Sequence, residues 1–453
     1  MSSSAQLLSA AVKWLHGRIS SDPRVGPELF AQLFEAERAL GLLHDERPIS
    51  PFLRPYLLPR TQYEAIGQAA RTLAGAFERL ARAALLDERL LSELGLTERE
   101  ARMARIDPGY TRLCVSSRLD AYLSEDGFKF LEYNAESPAG IADQMQMERV
   151  LYGLPYMREF LDRFATWRPE PHRRLLEVLM EAYREWGGEE ANPQIAIVDW
   201  AGVSTETEFF VLKDFFEAAG YTTRIADPRS LSYDGETLSA DGFRVDILYK
   251  RVIIHEFLQK FDETHPLSRA YADQKVCMAN SFRTKLAHKK AGFAILSDPD
   301  YEYLFTRDEL DCIRKHIPWT RIVKRGRATY EGVEYDLLDF VRRERERLVL
   351  KPSDDYGGHG IHIGWETAPD DWERAIEHAL TLPFVVQERA PVGKVSLPMF
   401  DLEAVTNAEL LVDFDPFLFH NEVEGGLVRL SASSLCNVSS GGGEAALLIL
   451  ENA

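Results

Sequence analysis

A change of period constrains this chain more than any other feature. Through the first hundred residues apolar side chains recur at helical spacing, at Leu7, Leu8, Ala11, Val12 and Leu15, and then in the many alanines and leucines between Tyr63 and Leu94. Pro48, Pro51, Pro55 and Pro59 separate these helices. From Arg112 the period falls to two. Residues 112–123 and 128–134 read as antiparallel strands joined around Glu125-Asp126-Gly127, with Gly127 at the left-handed position of a three-residue hairpin loop. That loop sets a register in which Asp120 faces Glu132 and Arg118 faces Asn134. Alternation puts Arg118 with Asp120, and Glu132 with Asn134, each pair on one face, while Leu119, Ala121, Leu131 and Tyr133 point the other way. An arginine and three oxygen donors suited to Mg²⁺ thus share one patch. The plainer alternative is the polar outer face of an exposed hairpin.

A chain of 453 residues predicts two to four domains with real cores. Its net charge of −19 argues against a nucleic-acid partner, which needs a basic face, but leaves local phosphate sites open. Cys114, Cys277, Cys312 and Cys436 match no zinc or disulfide spacing and read as reduced thiols. The start has no charged region followed by an apolar run, and no segment is long enough to span a bilayer. A cytoplasmic protein with no membrane partner is expected. Oligomeric state has no signature.

After a predicted helix over 144–164, an α/β unit begins. Ile195–Val198 is a short buried strand, 205–219 an amphipathic helix ended by Gly220, and 222–226 and 245–249 two further strands, which implies a small parallel sheet. The loop from Asp199 to Ser204 leaves a strand's carboxyl end, where such sheets bind ligands, and Ser204 is a candidate substrate contact. No Gly-x-Gly-x-x-Gly is present there, so a dinucleotide is not expected. Arg251, at another strand end, is a candidate for an anionic substrate. Helices are predicted over 285–296 and 335–347, strands over 348–351, 361–364 and Phe384–Glu388, and a mostly stranded tail over 397–450 with a flexible loop at 439–443.

A second motif completes the chemistry. An apolar strand ends in Lys351-Pro352 and leads into a loop carrying Gly357, Gly358 and Gly360. A lysine beside closely approaching backbone N–H groups is a chemistry for holding phosphate. Together with the Arg118–Asn134 patch it suggests a nucleoside triphosphate site assembled from distant segments. Lys290 is a second candidate cation, with Lys289 competing. The strand Phe384–Glu388 ends in Gln387 and Glu388, groups suited to an adenine hinge, or is a simple edge strand. His255 and His359 read as ordinary polar residues.

Arg118-Leu-Asp120 and Glu132-Tyr-Asn134, followed by Lys290-Ala-Gly-Phe, Leu350-Lys-Pro352 with its glycine loop, and Val386-Gln-Glu388, resemble in type and order the circularly permuted ATP-grasp superfamily, whose relatives include the glutathionylspermidine synthetases. The resemblance covers roughly residues 110–450. It implies a mixed α+β and α/β fold: a helical N-terminal region (1–108), the metal-ligand hairpin of a permuted core (109–190), a small parallel pre-ATP-grasp domain (191–278), and the lysine and glycine-loop half with C-terminal strands (279–453). It further implies an ATP- and Mg²⁺-dependent ligase joining a small-molecule or peptide carboxylate to an amine through an acyl phosphate. Asp120, Glu132 and Asn134 would hold Mg²⁺, Lys290 and Lys351 the phosphates, and Arg118 the charge that develops in transfer. Two departures stand out. Lys289 replaces an asparagine frequent before the first lysine, and Ser353-Asp354-Asp355 brings negative charge beside the glycine loop. A non-catalytic nucleotide-binding or scaffold protein is the alternative, and a phosphotransferase on the same fold a third.

Overall fold

The computed structural model describes residues 3–44, 47–355, 357–401, 404–434, 436 and 442–451. Of the predicted loop 439–443, the first three residues lie outside the described set, and Gly443 opens the short strand Gly443–Glu444.

The predicted hairpin exists, as strands Ser116–Ser124 and Gly127–Asn134, and its register at the polar patch is the expected one: Arg118 opposite Asn134 and Asp120 opposite Glu132. The route to that register differs. The loop has two residues, since Ser124 pairs with Gly127 at φ +143°, and a bulge between Asp120 and Ala121 restores the offset. The bulge also corrects one side-chain direction. Phe130 joins the apolar core, whereas Leu131 turns to the cleft beside Glu132.

The hairpin is part of a six-stranded antiparallel sheet. Its partner is the long strand Ala404–Phe419, which pairs first with Lys394–Asp401 and then with Ser116–Ser124, and carries Glu422–Ser431 and Gly443–Glu444 on its other edge. Residues some three hundred positions apart are therefore neighbours. A second antiparallel sheet orders Thr320–Ile322, Phe384–Glu388, Leu348–Pro352 and His362–Ile363. The three predicted strands of the small α/β unit form a parallel sheet, and Cys277–Ala279 adds a fourth strand that was not predicted, in the order Cys277–Ala279, Ile247–Lys250, Ile195–Val198 and Thr223–Ala226. Its two central strands, Ile247–Lys250 and Ile195–Val198, are buried on both faces and so read as nearly continuous apolar runs.

The helical start is no separate appendage. The helix Arg60–Ala84 buries Leu73, Phe77 and Leu80 against the back of the hairpin, in one core with Leu119 and Tyr133. Phe77 lies 4.8 Å from the Tyr133 ring and 5.1 Å from Phe293. Burial of such a ring contributes about 1.5–3 kcal/mol, so the face opposite the polar patch is held in place.

Two predicted helices are broken. Residues 144–164 divide into Ile141–Leu151 and Pro155–Arg163, because Pro155 cannot continue the first helix and suits the first turn of the second. Residues 285–296 divide into Lys285–His288 and Ala291–Leu296, with Lys289 extended at ψ 126°. The break frees the Lys290 N–H, which donates instead to the Ser353 carbonyl at 2.8 Å. Residues 335–347 also resolve differently: Val333–Asp336 is a strand, and Asp336 caps the helix Leu337–Arg343 by accepting from the Asp339 N–H at 3.1 Å.

Candidate active site

A cleft of about 730 Å³ opens between the six-stranded sheet, the second antiparallel sheet and the carboxyl ends of the parallel strands. Arg118, Asp120, Glu132, Asn134, Lys351, Gly357, Gly358, Gln387, Glu388, Arg251 and Ser204 all line it. Lys290 and Gly360 are not among its lining residues; Lys290 is buried and Gly360 exposed. The hairpin face is therefore not an exposed outer surface: Arg118 is 8% and Asp120 6% exposed.

On the six-stranded sheet, Arg118 grips Asp120 with two parallel hydrogen bonds, Nε to Oδ1 at 2.8 Å and Nη2 to Oδ2 at 2.9 Å, and donates through Nη1 to the Ala139 carbonyl. Asn134 Nδ2 donates to the same Asp120 Oδ1 at 3.0 Å. Arg429, on Glu422–Ser431, two strands away across Ala404–Phe419, adds Nη2 within 2.7 Å of both Asp120 Oδ2 and Asp413 Oδ2, and 2.9 Å from Asp415 Oδ2. Burial alone would raise the Asp120 carboxyl; the two guanidiniums outweigh it and hold it at about 2. For Asp413 and Asp415 burial wins and pushes both carboxyls up, despite Arg429, because three carboxylates crowd the same arginines. Asp413 Oδ1 is buried and, among the described residues, has no hydrogen-bond partner.

Arg429, Asp413 and Asp415 were not among the sequence candidates. Their signal was available: in Leu411-Val-Asp-Phe-Asp-Pro-Phe-Leu-Phe419 two aspartates at alternate positions interrupt an otherwise apolar strand, as charged groups do only when they meet partners.

On the facing sheet, Lys351 Nζ donates to Gln387 Oε1 at 2.7 Å, and Gln387 Nε2 donates to Thr320 Oγ1 at 3.1 Å. Burial lowers the Lys351 ammonium to about 8, with Glu132 pulling it up and Lys290 pushing it down. Lys290 Nζ lies 3.1 Å from Glu132 Oε1 and donates to the Asp355 carbonyl at 2.8 Å, so it spans the two halves of the cleft. Gly357, Gly358 and Gly360 take φ of +65°, +79° and +67°, and a Cβ on Gly360 would come within 2.8 Å of Pro352 Cγ.

Other candidates are more committed than the sequence suggested. The Glu388 carboxylate accepts from Tyr330 Oη at 2.7 Å and Arg347 Nη2 at 2.8 Å, so its side chain is held by the protein. Arg251 is buried and donates to Glu208 Oε2 at 3.1 Å, to the Pro138 carbonyl and to Tyr249 Oη. Ser204 lines the cleft together with Val203 and Trp200 of the same loop. Lys289, the competitor of Lys290, turns away to Glu100 Oε2 at 3.1 Å and Asp354 Oδ2 at 2.6 Å.

Two acid-rich clusters could be read as cation sites. Glu136, His288 and Asp354 bring donor atoms within 4.8 Å of one another. There, however, Lys285 Nζ sits 2.7 Å from Glu136 Oε1 and 2.6 Å from Asp354 Oδ1, and already occupies the place of a cation. The Asp120–Asp413–Glu132–Asn134 group offers Mg²⁺ carboxylate and amide oxygens along the cleft; Arg118, Arg429 and Lys290 pair with three of its members, and among the described residues Asp413 Oδ1 has no hydrogen-bond partner.

No family model and no curated protein matches this sequence. Solved structures do. A glutathione synthetase-like effector, GSS30, from Globodera pallida, solved in its apo form, superposes over 95% of this chain and 98% of its own, with a TM-score of 0.59 at 14% sequence identity. A candidate gamma-glutamylcysteine synthetase from Methylobacillus flagellatus aligns over 86% of this chain and 89% of its own at 11% identity, with a TM-score of 0.43. This chain shares its fold, from near one end to the other, with a glutathione synthetase-like protein.

Proposed function

We propose that the protein is an ATP- and Mg²⁺-dependent ligase that joins a carboxylate to an amine, with a circularly permuted ATP-grasp core. The observation that carries this reading is the meeting, across one cleft, of the Arg118–Asp120–Glu132–Asn134 face with Lys351, Gln387 and the glycine loop. The fold shared with a glutathione synthetase-like protein supports it.

Asp120, Glu132 and Asn134 would hold Mg²⁺, with Asp413 as a further oxygen donor. Bound there, the ion supplies neutralising charge to a transferring phosphoryl group. Lys351 and Lys290 would steady the phosphates, and the glycine loop would present its N–H groups to them. Gln387 holds the Lys351 ammonium in place. Arg118 is oriented by Asp120 and backs the charge that develops at the reacting oxygens. Substrate carboxylate oxygen attacks the γ-phosphorus as ADP leaves; the amine then attacks the acyl carbon, losing a proton as phosphate departs. The space beside Ser204 and Trp200 is left for the acid and the amine. Excluding water from a cleft of this kind protects the activated acid.

One observation favours a second reading, non-catalytic nucleotide binding: Glu132 is already paired with Lys290 at 3.1 Å. Incubation with ATP, Mg²⁺ and pools of small carboxylates, peptides and amines separates the two. The ligase reading expects equal ADP and phosphate together with a mass-identified amide, and a loss of at least about 100-fold in Glu132→Gln. Bound ATP without ADP from any pool would leave only the second reading. A phosphorylated product without free phosphate would make it a phosphotransferase.

A further inference from the structure

The segment Ser353-Asp354-Asp355 is the root of the glycine loop, and one stretch of chain holds it at every residue. The Lys290 N–H donates to the Ser353 carbonyl at 2.8 Å, and the Ala291 N–H to Ser353 Oγ at 3.2 Å. Lys290 Nζ donates to the Asp355 carbonyl at 2.8 Å. Between these, the Asp354 carboxylate is divided: Oδ1 takes Lys285 Nζ and Oδ2 takes Lys289 Nζ, each at 2.6 Å. Lys285 is fully buried and Lys289 is 4% exposed.

We propose that Asp354, seated between Lys285 and Lys289, is a positioning residue that fixes the root of the glycine loop against the broken helix carrying Lys290. The break at Lys289 is what makes the arrangement possible. In an unbroken helix Lys285 and Lys289 would be neighbours one turn apart and the Lys290 N–H would be tied to the Leu286 carbonyl. With Lys289 extended, both ammoniums close on one carboxylate and the freed N–H reaches Ser353. The negative charge beside a phosphate loop is thereby consumed by two cations.

The same cations carry the anchorage further. Lys285 Nζ also lies 2.7 Å from Glu136 Oε1, and Glu136 Oε2 accepts the Ile254 N–H of the parallel-sheet unit at 2.8 Å. Lys289 Nζ lies 3.1 Å from Glu100 Oε2, on the N-terminal helix Glu98–Arg105. The loop root is thus referenced to the hairpin exit, the small α/β unit and the helical start at once. Charged hydrogen bonds among buried groups are the strong ones, and leaving a partner unmatched is costly.

This inference rests on the reading of the glycine loop as a phosphate-binding element, and the test keeps the two apart. Hydrogen exchange over residues 349–363 is measured without nucleotide in wild type and in Asp354→Asn, beside calorimetric titration of both with ATP and Mg²⁺. The expected result is exchange at the loop root faster by about tenfold, exchange in the six-stranded sheet unchanged, and ATP binding weakened about tenfold or more, about 1.4 kcal/mol. Equal loop exchange in the two proteins, or faster loop exchange with undiminished ATP affinity, would overturn the positioning role. Wild type that fails to bind ATP would overturn the functional reading, while loop exchange would still decide the anchorage. Should Asp354→Asn not fold, Lys289→Gln removes one of the two cations and is read by the same criteria.

Discussion

Around Arg429 three carboxylates, Asp120, Asp413 and Asp415, converge on one guanidinium with Arg118 assisting; around Lys285 three others, Glu100, Glu136 and Asp354, converge on two ammoniums. The side chains are similar, and the electrostatic states differ in part: Asp120 is held down in the first cluster as Glu136 is in the second, but Asp413 and Asp415 are not. In the Arg429 cluster Asp413 and Asp415 are pushed up, and among the described residues one oxygen of Asp413 has no hydrogen-bond partner. In the Lys285 cluster, burial would raise Glu136, but Lys285 and its neighbours hold it at about 2, and Asp354 is held well below the usual carboxylate range. A group of acids does not by itself mark a metal site. What distinguishes the two is how far the protein's own cations offset burial, which they do at Glu136 and Asp354 and do not at Asp413 and Asp415.

The largest effect that could break this comparison is in stability. Glu136→Gln removes a carboxylate whose charge is fully used and leaves Lys285 under-paired, and about 3–5 kcal/mol of destabilisation is expected in denaturant unfolding. Asp413→Asn removes a carboxylate already disfavoured in its site, so a change within about 1 kcal/mol in either direction is expected. The comparison fails if the two costs are equal or reversed.

Much of the cleft was legible in the chain, and the reasons are local. Period-two alternation placed Arg118, Asp120, Glu132 and Asn134 on one patch, and apolar runs marked Ile195–Val198 and Phe384–Glu388 at their observed ends. What could not be read depends on partners far away. Arg429 meets Asp120 only because the strand Ala404–Phe419 pairs with Ser116–Ser124 on one edge and Glu422–Ser431 on the other, and no local rule reports that pairing. Asp354 looked misplaced beside a phosphate loop because its counter-ions lie sixty-five and sixty-nine residues away in sequence. The hairpin register was right at the polar patch and off by one residue toward the turn, whose loop length was wrong, since a bulge inserts one residue without a turn signal.

A smaller effect sharpens the cleft side alone. The Lys351 ammonium lies near 8, so it is charged below that pH and loses its proton as pH rises through it. A polyanion favours the charged form. ATP affinity is therefore expected to hold steady below pH 8 and then fall by at most about tenfold per unit above it. Lys351→Arg, which stays charged, is expected to flatten that decline; a profile identical to wild type would assign the titration to another group.

The most direct test of the central claim is calorimetric titration of wild type and Lys351→Ala with ATP, each with and without Mg²⁺. Binding that requires Mg²⁺ and weakens at least about tenfold in Lys351→Ala is the predicted result. Binding indifferent to both, or none at millimolar ATP, would contradict a nucleotide site in this cleft.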